Sequence, residues 1–192
     1  MRRVALLFLV LVSLSCHRTS RHDTLDLSGK WAFRADPSDI GIQEKWFTGN
    51  PGEYVFLPGS MAENQKGDEI SVHTPWMGDI VDSSWFFDPS MAKYRDSGNV
   101  HIPFSLQPDR YYAGPAWYQK DIMIPHSWKS KHIELFLERC HWETRVWVDD
   151  HETGMRNSLG TPHVYDLTEW LVPGRHKITV RVDNRLRDSD VG

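Results

Sequence analysis

Cysteine is scarce in this chain: 192 residues hold two, Cys16 and Cys140. Two thiols make no disulfide framework, and once Cys16 is spoken for, Cys140 has no intramolecular partner. Stability must then come from a buried core, and the residues from Cys16 onward are enough for one domain of ordinary size. Long apolar runs are missing as well. The longest, Val4 to Val12, has nine residues, against the ~20 that span a bilayer. There is no basic stripe: 22 basic and 26 acidic residues are mixed along the chain for a net charge of −4, which argues against nucleic acid as a partner. A Gly-rich phosphate loop, a Gly-x-Ser-x-Gly elbow and a Cys-x-x-Cys pair are all absent. His141-x-Glu143 has no second His or Cys cluster at ligand spacing and reads as a solvated strand face. Asp149-Asp150 reads as hairpin geometry. No metal, no other cofactor and no assembled catalytic group is expected from these residues.

The N-terminus carries a targeting segment. Arg2 and Arg3 precede the apolar run, and Ser13-Leu14-Ser15 leads into Cys16. A small residue directly before cysteine resembles the lipobox of bacterial lipoproteins, which would make Cys16 the lipidated residue. Simple secretory cleavage is the other reading. Residues 1–15 are therefore read as a signal peptide, 16–24 as a flexible tether and 25–192 as the folded domain. The expected location is outside the bacterial cytoplasm, as a periplasmic or outer-membrane lipoprotein that meets the membrane only through its anchor.

What the chain does have is alternation. Apolar side chains recur every second residue at Tyr118, Ile122 and Ile124; at Ile133, Leu135 and Leu137; at Val146 and Val148; and at Ile178, Val180 and Val182. A period of two puts them on one side of a pleated strand, so each segment can bury one face against a second sheet. Residues 25–33, with Trp31 and Phe33 on one face, and 54–60, stopped by Pro58-Gly59, read as further strands. Asp36-Pro37-Ser38-Asp39 is turn chemistry that can also cap a short helix ending near Phe47, and residues 165–171 read as a capped helical turn. Residues 61–114 lose the strand signal but are too aromatic for disorder, which points to a long structured loop region with a function or an interface. Cys140 falls in a strand pattern, as a buried, unreactive thiol. Nine tryptophans supply core area and are also surfaces on which sugar rings stack. Trp142 and Trp147 have opposite parity in one strand, which takes at least one of them out of the core.

The ordered pieces resemble the N-terminal sugar-binding domain of glycoside hydrolase family 2, the family of β-galactosidases, β-glucuronidases and β-mannosidases. They are Leu27-Ser28-Gly29-Lys30-Trp31-Ala32-Phe33, Leu57-Pro58-Gly59-Ser60, Ala113-Gly114-Pro115-Ala116-Trp117-Tyr118-Gln119-Lys120, Thr144-Arg145-Val146-Trp147-Val148-Asp149, Tyr165-Asp166-Leu167-Thr168 and Ile178-Thr179-Val180-Arg181-Val182-Asp183-Asn184. The resemblance implies an all-β fold, a jelly-roll β-sandwich of the galactose-binding-domain type. It implies downstream immunoglobulin-like and TIM-barrel domains, and a retaining exo-glycosidase whose two catalytic glutamates lie on the barrel. The chain stops at Gly192, so on this reading it is a fragment without those glutamates and is inactive alone. A terminal β-linked sugar is the implied partner. Asn99-Val100 resembles the pair that a sandwich loop presents to that sugar, an amide being able both to donate to and to accept from hydroxyls. A turn asparagine is the alternative. Asp183-Asn184-Arg185 at the exit of the last strand can likewise face the barrel, or form a strand-end turn or interface salt bridge. A stand-alone carbohydrate-binding surface lipoprotein, using exposed tryptophans, is the rival reading of the whole.

Overall fold

The computed structural model describes residues 23–75, 82–96, 98–101 and 109–185. The signal segment with Cys16, and also Trp76, lie outside the described residues. The described residues include ten strands: β1 Gly29–Ala35, β2 Glu53–Leu57, β3 Asp68–Glu69, β4 Arg110–Tyr111, β5 Pro115–Ile124, β6 Glu134–Leu137, β7 Glu143–Val148, β8 His151–Asn157, β9 His163–Asp166 and β10 Gly174–Asp183. The fold is an all-β sandwich. Its larger layer is a six-stranded antiparallel sheet in the order β2-β1-β5-β10-β7-β8. Its smaller layer is the pair β6-β9, and β3-β4 make a separate ribbon.

Alternation explains the two-layer packing. In β5, β7 and β10 the inward rows are Ile122 and Ile124, Val146 and Val148, and Ile178 and Val180, all buried in one cluster with Trp31, Phe33 and Val55. Leu135 of β6 and Tyr165 of β9 meet them from the other layer, and Tyr118 packs against the same cluster half-buried. Each fully buried side chain of this kind is worth about 1.5–3 kcal/mol relative to exposure, so these rows hold the layers together without a disulfide.

Several expectations need correction. β8 and β9 carry little apolar alternation, and residues 151–154 and 165–166 lie in strands rather than in a turn and a helical turn. The helical turn survives only after Leu167, where Trp170 N–H and Leu171 N–H donate back to the Leu167 carbonyl. The short helix expected to end near Phe47 is a single 3-10 turn, Trp46–Thr48, reached through non-helical turns. Cys140 and Trp142 sit in the link between β6 and β7, outside any strand. Among its described residues the loop region contains the β3-β4 ribbon, a short helix, α1 Ser84–Phe87, and a 3-10 segment, Pro89–Tyr94.

The largest departure is that the sheet is buried on both faces at its centre. Residues 36–50 run as a strap over the outward side. Asp36, fully buried, anchors it: Oδ1 accepts from Ile40 N–H at 3.0 Å, and Oδ2 accepts from Gly41 N–H at 2.9 Å and Trp117 Nε1–H at 3.0 Å. Phe47 stacks on Trp147 with centroids 5.2 Å apart and planes 4° from parallel. Trp147 packs in turn on Trp117, and Gln119 Nε2–H donates to the Trp46 carbonyl at 3.0 Å. Trp117 and Trp147 thus form a second, aromatic layer on the face that alternation alone assigns to solvent.

Candidate functional site

β10 lies between β5 and β7, so its last residue emerges from the middle of the sheet. Arg181 and Asp183, two apart, share the outward face, 3% and 1% exposed. Arg181 reaches Asp39 of the strap at 2.7 Å, Glu143 of β7 at 3.1 Å and Asp183 at 3.3 Å. Arg185 closes the group, 2.5 Å from Asp183 and 2.6 Å from Asp39. Burial works to raise the Asp183 carboxyl, but hydrogen bonds from the Arg185 side chain and backbone, and both guanidinium charges, outweigh it and hold it below the usual carboxylate value. Asp39 is lowered in the same way: a desolvation penalty is overcome by Arg185 and Arg181.

Asn184 serves the backbone. Its Oδ1 accepts from Gly114 N–H at 2.7 Å, its Nδ2–H donates to the Tyr112 carbonyl at 2.8 Å, and its own carbonyl accepts from Trp142 Nε1–H at 2.7 Å. The turn it clamps requires Gly114, whose φ is 146°, a conformation that side chains resist. Asp183, Asn184 and Arg185 are brought together, in an arrangement that ties strap, sheet and the entry to β5.

Asn99 and Val100 sit in a satellite of their own. Trp85 of α1 is buried there against Val72, Met91 and Val100, and its Nε1–H donates to the His101 carbonyl at 2.7 Å. Asp88 caps the following 3-10 segment by accepting from Ser90 N–H at 2.8 Å. Asn99 is exposed. Its Nδ2–H donates to the Lys93 carbonyl at 2.7 Å and its backbone N–H to the Asp96 carbonyl at 2.9 Å. No described residue donates to its side-chain carbonyl. These bonds stay within the loop and do not reach the β10 exit.

Of the eight described tryptophans none is exposed: Trp31, Trp85, Trp117 and Trp147 are buried, while Trp46, Trp128, Trp142 and Trp170 are half-buried. Sequence reasoning missed the Arg181–Asp39 pair, since an outward strand Arg reads as solvated. It also missed a cleft of about 490 Å³ at the β10 exit end of the inner face. Neither has a local signal.

The domain model of the glycosyl hydrolases family 2, sugar binding domain, matches residues 25–191. The chain belongs to this family. Among relatives of this family 2 domain, a β-glucuronidase of Paenibacillus borealis is 28% identical over 88% of the chain, and a β-galactosidase of Arthrobacter sp. (strain B7) is 27% identical over 83%. The chain spans 22% and 16% of their lengths. A solved β-glucuronidase of Ruminococcus gnavus in complex with D-glucuronic acid superposes with a TM-score of 0.58 at 21% identity, over 84% of this chain and 22% of that one. That likeness carries the family 2 sandwich fold.

Proposed function

We propose that this chain is the N-terminal sugar-binding-type domain of an exported exo-acting β-glycosidase, in which it braces a catalytic barrel and lends the Asn99-Val100 loop to the substrate site. The family match over residues 25–191 carries the reading. Relatives several times longer than this chain support immunoglobulin-like and TIM-barrel domains as its partners. The exposed Asn99, to whose side-chain carbonyl no described residue donates, supports contact with a terminal β-linked sugar, and Asp183, Asn184 and Arg185 act from the β10 exit as the brace toward the barrel. The basic start, apolar run and Cys16 support export to the periplasm or outer membrane with a lipid on Cys16; Cys16→Ser should then move the protein from the membrane to the soluble fraction.

The deciding observation is the nucleotide sequence just past the codon for Gly192. A barrel bearing paired glutamates is expected there, and its absence would overturn the reading. If the barrel is present, the joined protein should hydrolyse a nitrophenyl β-glucuronide or β-galactoside, and Asn99→Ala should raise KM more than it lowers kcat. A stand-alone sugar-binding lipoprotein is the weaker reading, because the described tryptophans are not displayed on the surface.

A further inference from the structure

Two clefts open on the inner face of the large sheet, and their chemistry differs. One, of about 450 Å³, is lined by Asp23, Lys131, His132 and Glu134 above an apolar floor. Both signs meet there, and Lys131 pairs with Asp23. The other, of about 490 Å³, lies where β10 leaves the sheet. Its walls are Trp31, Leu57, Tyr118, Leu137, Val180 and Val182. Arg110, Arg139 and His141 also line it, and among the described residues no Asp or Glu does.

The basic side chains are weakly engaged. Arg139 is 3.8 Å from Glu138 and Arg110 is 3.6 Å from Glu69, in pairs whose acids are well exposed. Exposed pairs of this kind are worth about 0–1 kcal/mol and yield readily to a better anion. The Tyr118 hydroxyl has no hydrogen-bond partner among the described residues and supplies a donor inside the cleft. Cys140 also lines it; burial pushes its thiol up to about 11, so it stays neutral and belongs to the apolar wall. A concave apolar space of this size with a few polar groups is the usual form of a small-molecule site.

The geometry points to this cleft as a binding site for a small amphiphilic carboxylate, its alkyl or aryl body between Trp31 and Val180 and its carboxylate at Arg110, Arg139 and His141. An apolar body matches the walls, and a single negative charge matches a lining whose described residues include three basic side chains and no acid. The assignment is independent of the sugar-binding reading.

The test uses the whole chain carrying Cys16→Ser, so that Cys140 is the only cysteine. Decanoate is the probe, followed by calorimetry and by the rate at which N-ethylmaleimide alkylates Cys140. Decanoate should bind and slow alkylation at least fivefold. Val182→Trp, which fills the cleft, should weaken binding at least tenfold. The rim double variant Arg110→Glu with Arg139→Glu, both outside the core, should weaken decanoate tenfold while leaving 1-decanol unaffected, with an unchanged melting temperature showing the fold intact. No protection of Cys140 at millimolar decanoate would overturn the proposal. So would equal loss of decanol and decanoate in the rim variant, or undiminished binding in a folded Val182→Trp protein.

Discussion

Thr144 of the six-stranded sheet and His163 of the two-stranded sheet meet across the sandwich, Oγ1 to Nδ1 at 2.6 Å, with both side chains buried. His163 Nε2 lies 2.9 Å from the Ser158 carbonyl, which accepts only, so Nε2 carries the proton and Nδ1 is left to accept from the hydroxyl. The same hydroxyl is 2.6 Å from the Tyr165 OH. One threonine thus satisfies two polar groups of the facing layer.

Thr144→Val keeps the shape and removes that hydroxyl. It should cost about 1–3 kcal/mol, the penalty for a buried polar group left unpaired, read from the midpoint of urea unfolding. An unchanged midpoint would mean that the contact between layers is not energetically coupled to folding.

Gly41 marks the tightest point of the strap. A Cβ there would stand 2.5 Å from Trp117 Nε1 and 2.7 Å from Asp36 Oδ2. Gly41→Ala should therefore destabilise by about 1–3 kcal/mol through overpacking and shift tryptophan fluorescence as Trp117 is uncovered. Gly52→Ala, with nothing within 4 Å, is the control and should be near neutral.

The charge network at the β10 exit makes stability sensitive to acid. Asp39 and Asp183 in this network, and Asp149 beside His176 near the start of β10, are all held below the usual carboxylate value when folded. A depressed folded pKa stabilises the native state above the unfolded value, and that contribution is lost as pH falls through the folded value. Unfolding free energy should hold from neutral pH to about pH 5 and decline below pH 4. Arg181→Met strips the buried carboxylates of a partner and should cost about 3–5 kcal/mol at pH 7, with a smaller deficit at pH 3. Equal deficits at both pH values would exclude the ionic origin.

Among the described residues, the Asn64 side chain protects edge strand β2. Asn64 Oδ1 accepts from Phe56 N–H at 2.6 Å and its Nδ2–H donates to the Phe56 carbonyl at 3.1 Å, standing in for a neighbouring strand. Beside it Tyr54 and Phe56 are 54% and 65% exposed, and an uncovered apolar edge invites pairing with another chain. Asn64→Leu should lose about 0.5–1.5 kcal/mol and show concentration-dependent self-association by light scattering. A strictly monomeric variant would show that the edge needs no such cap.

How much was legible in the sequence follows from how each residue meets its surroundings. Ile122 and Ile124, Val146 and Val148, and Ile178 and Val180 announce their strands because a half-buried ribbon repeats its apolar side every second residue. β8 was hidden by its polar edge position, and β9 by its four residues, of which one inward side chain is His163. The motif pieces located the Asp183-Asn184-Arg185 exit, but not that Asn184 is committed to the Tyr112–Gly114 turn. Asn99 was found as a motif, and its placement against the Trp85 satellite came only with the fold.

Local periodicity by itself determined the strands of the core and the sandwich class, since both depend on neighbours two residues apart. The covering of the outer face was decided elsewhere. Trp117, Trp147 and Arg181 alternate into what local pattern reads as water, and they are buried because residues 36–50, distant in sequence, fold back over them. Such a contact is set by where the chain returns, which no window of neighbouring residues contains.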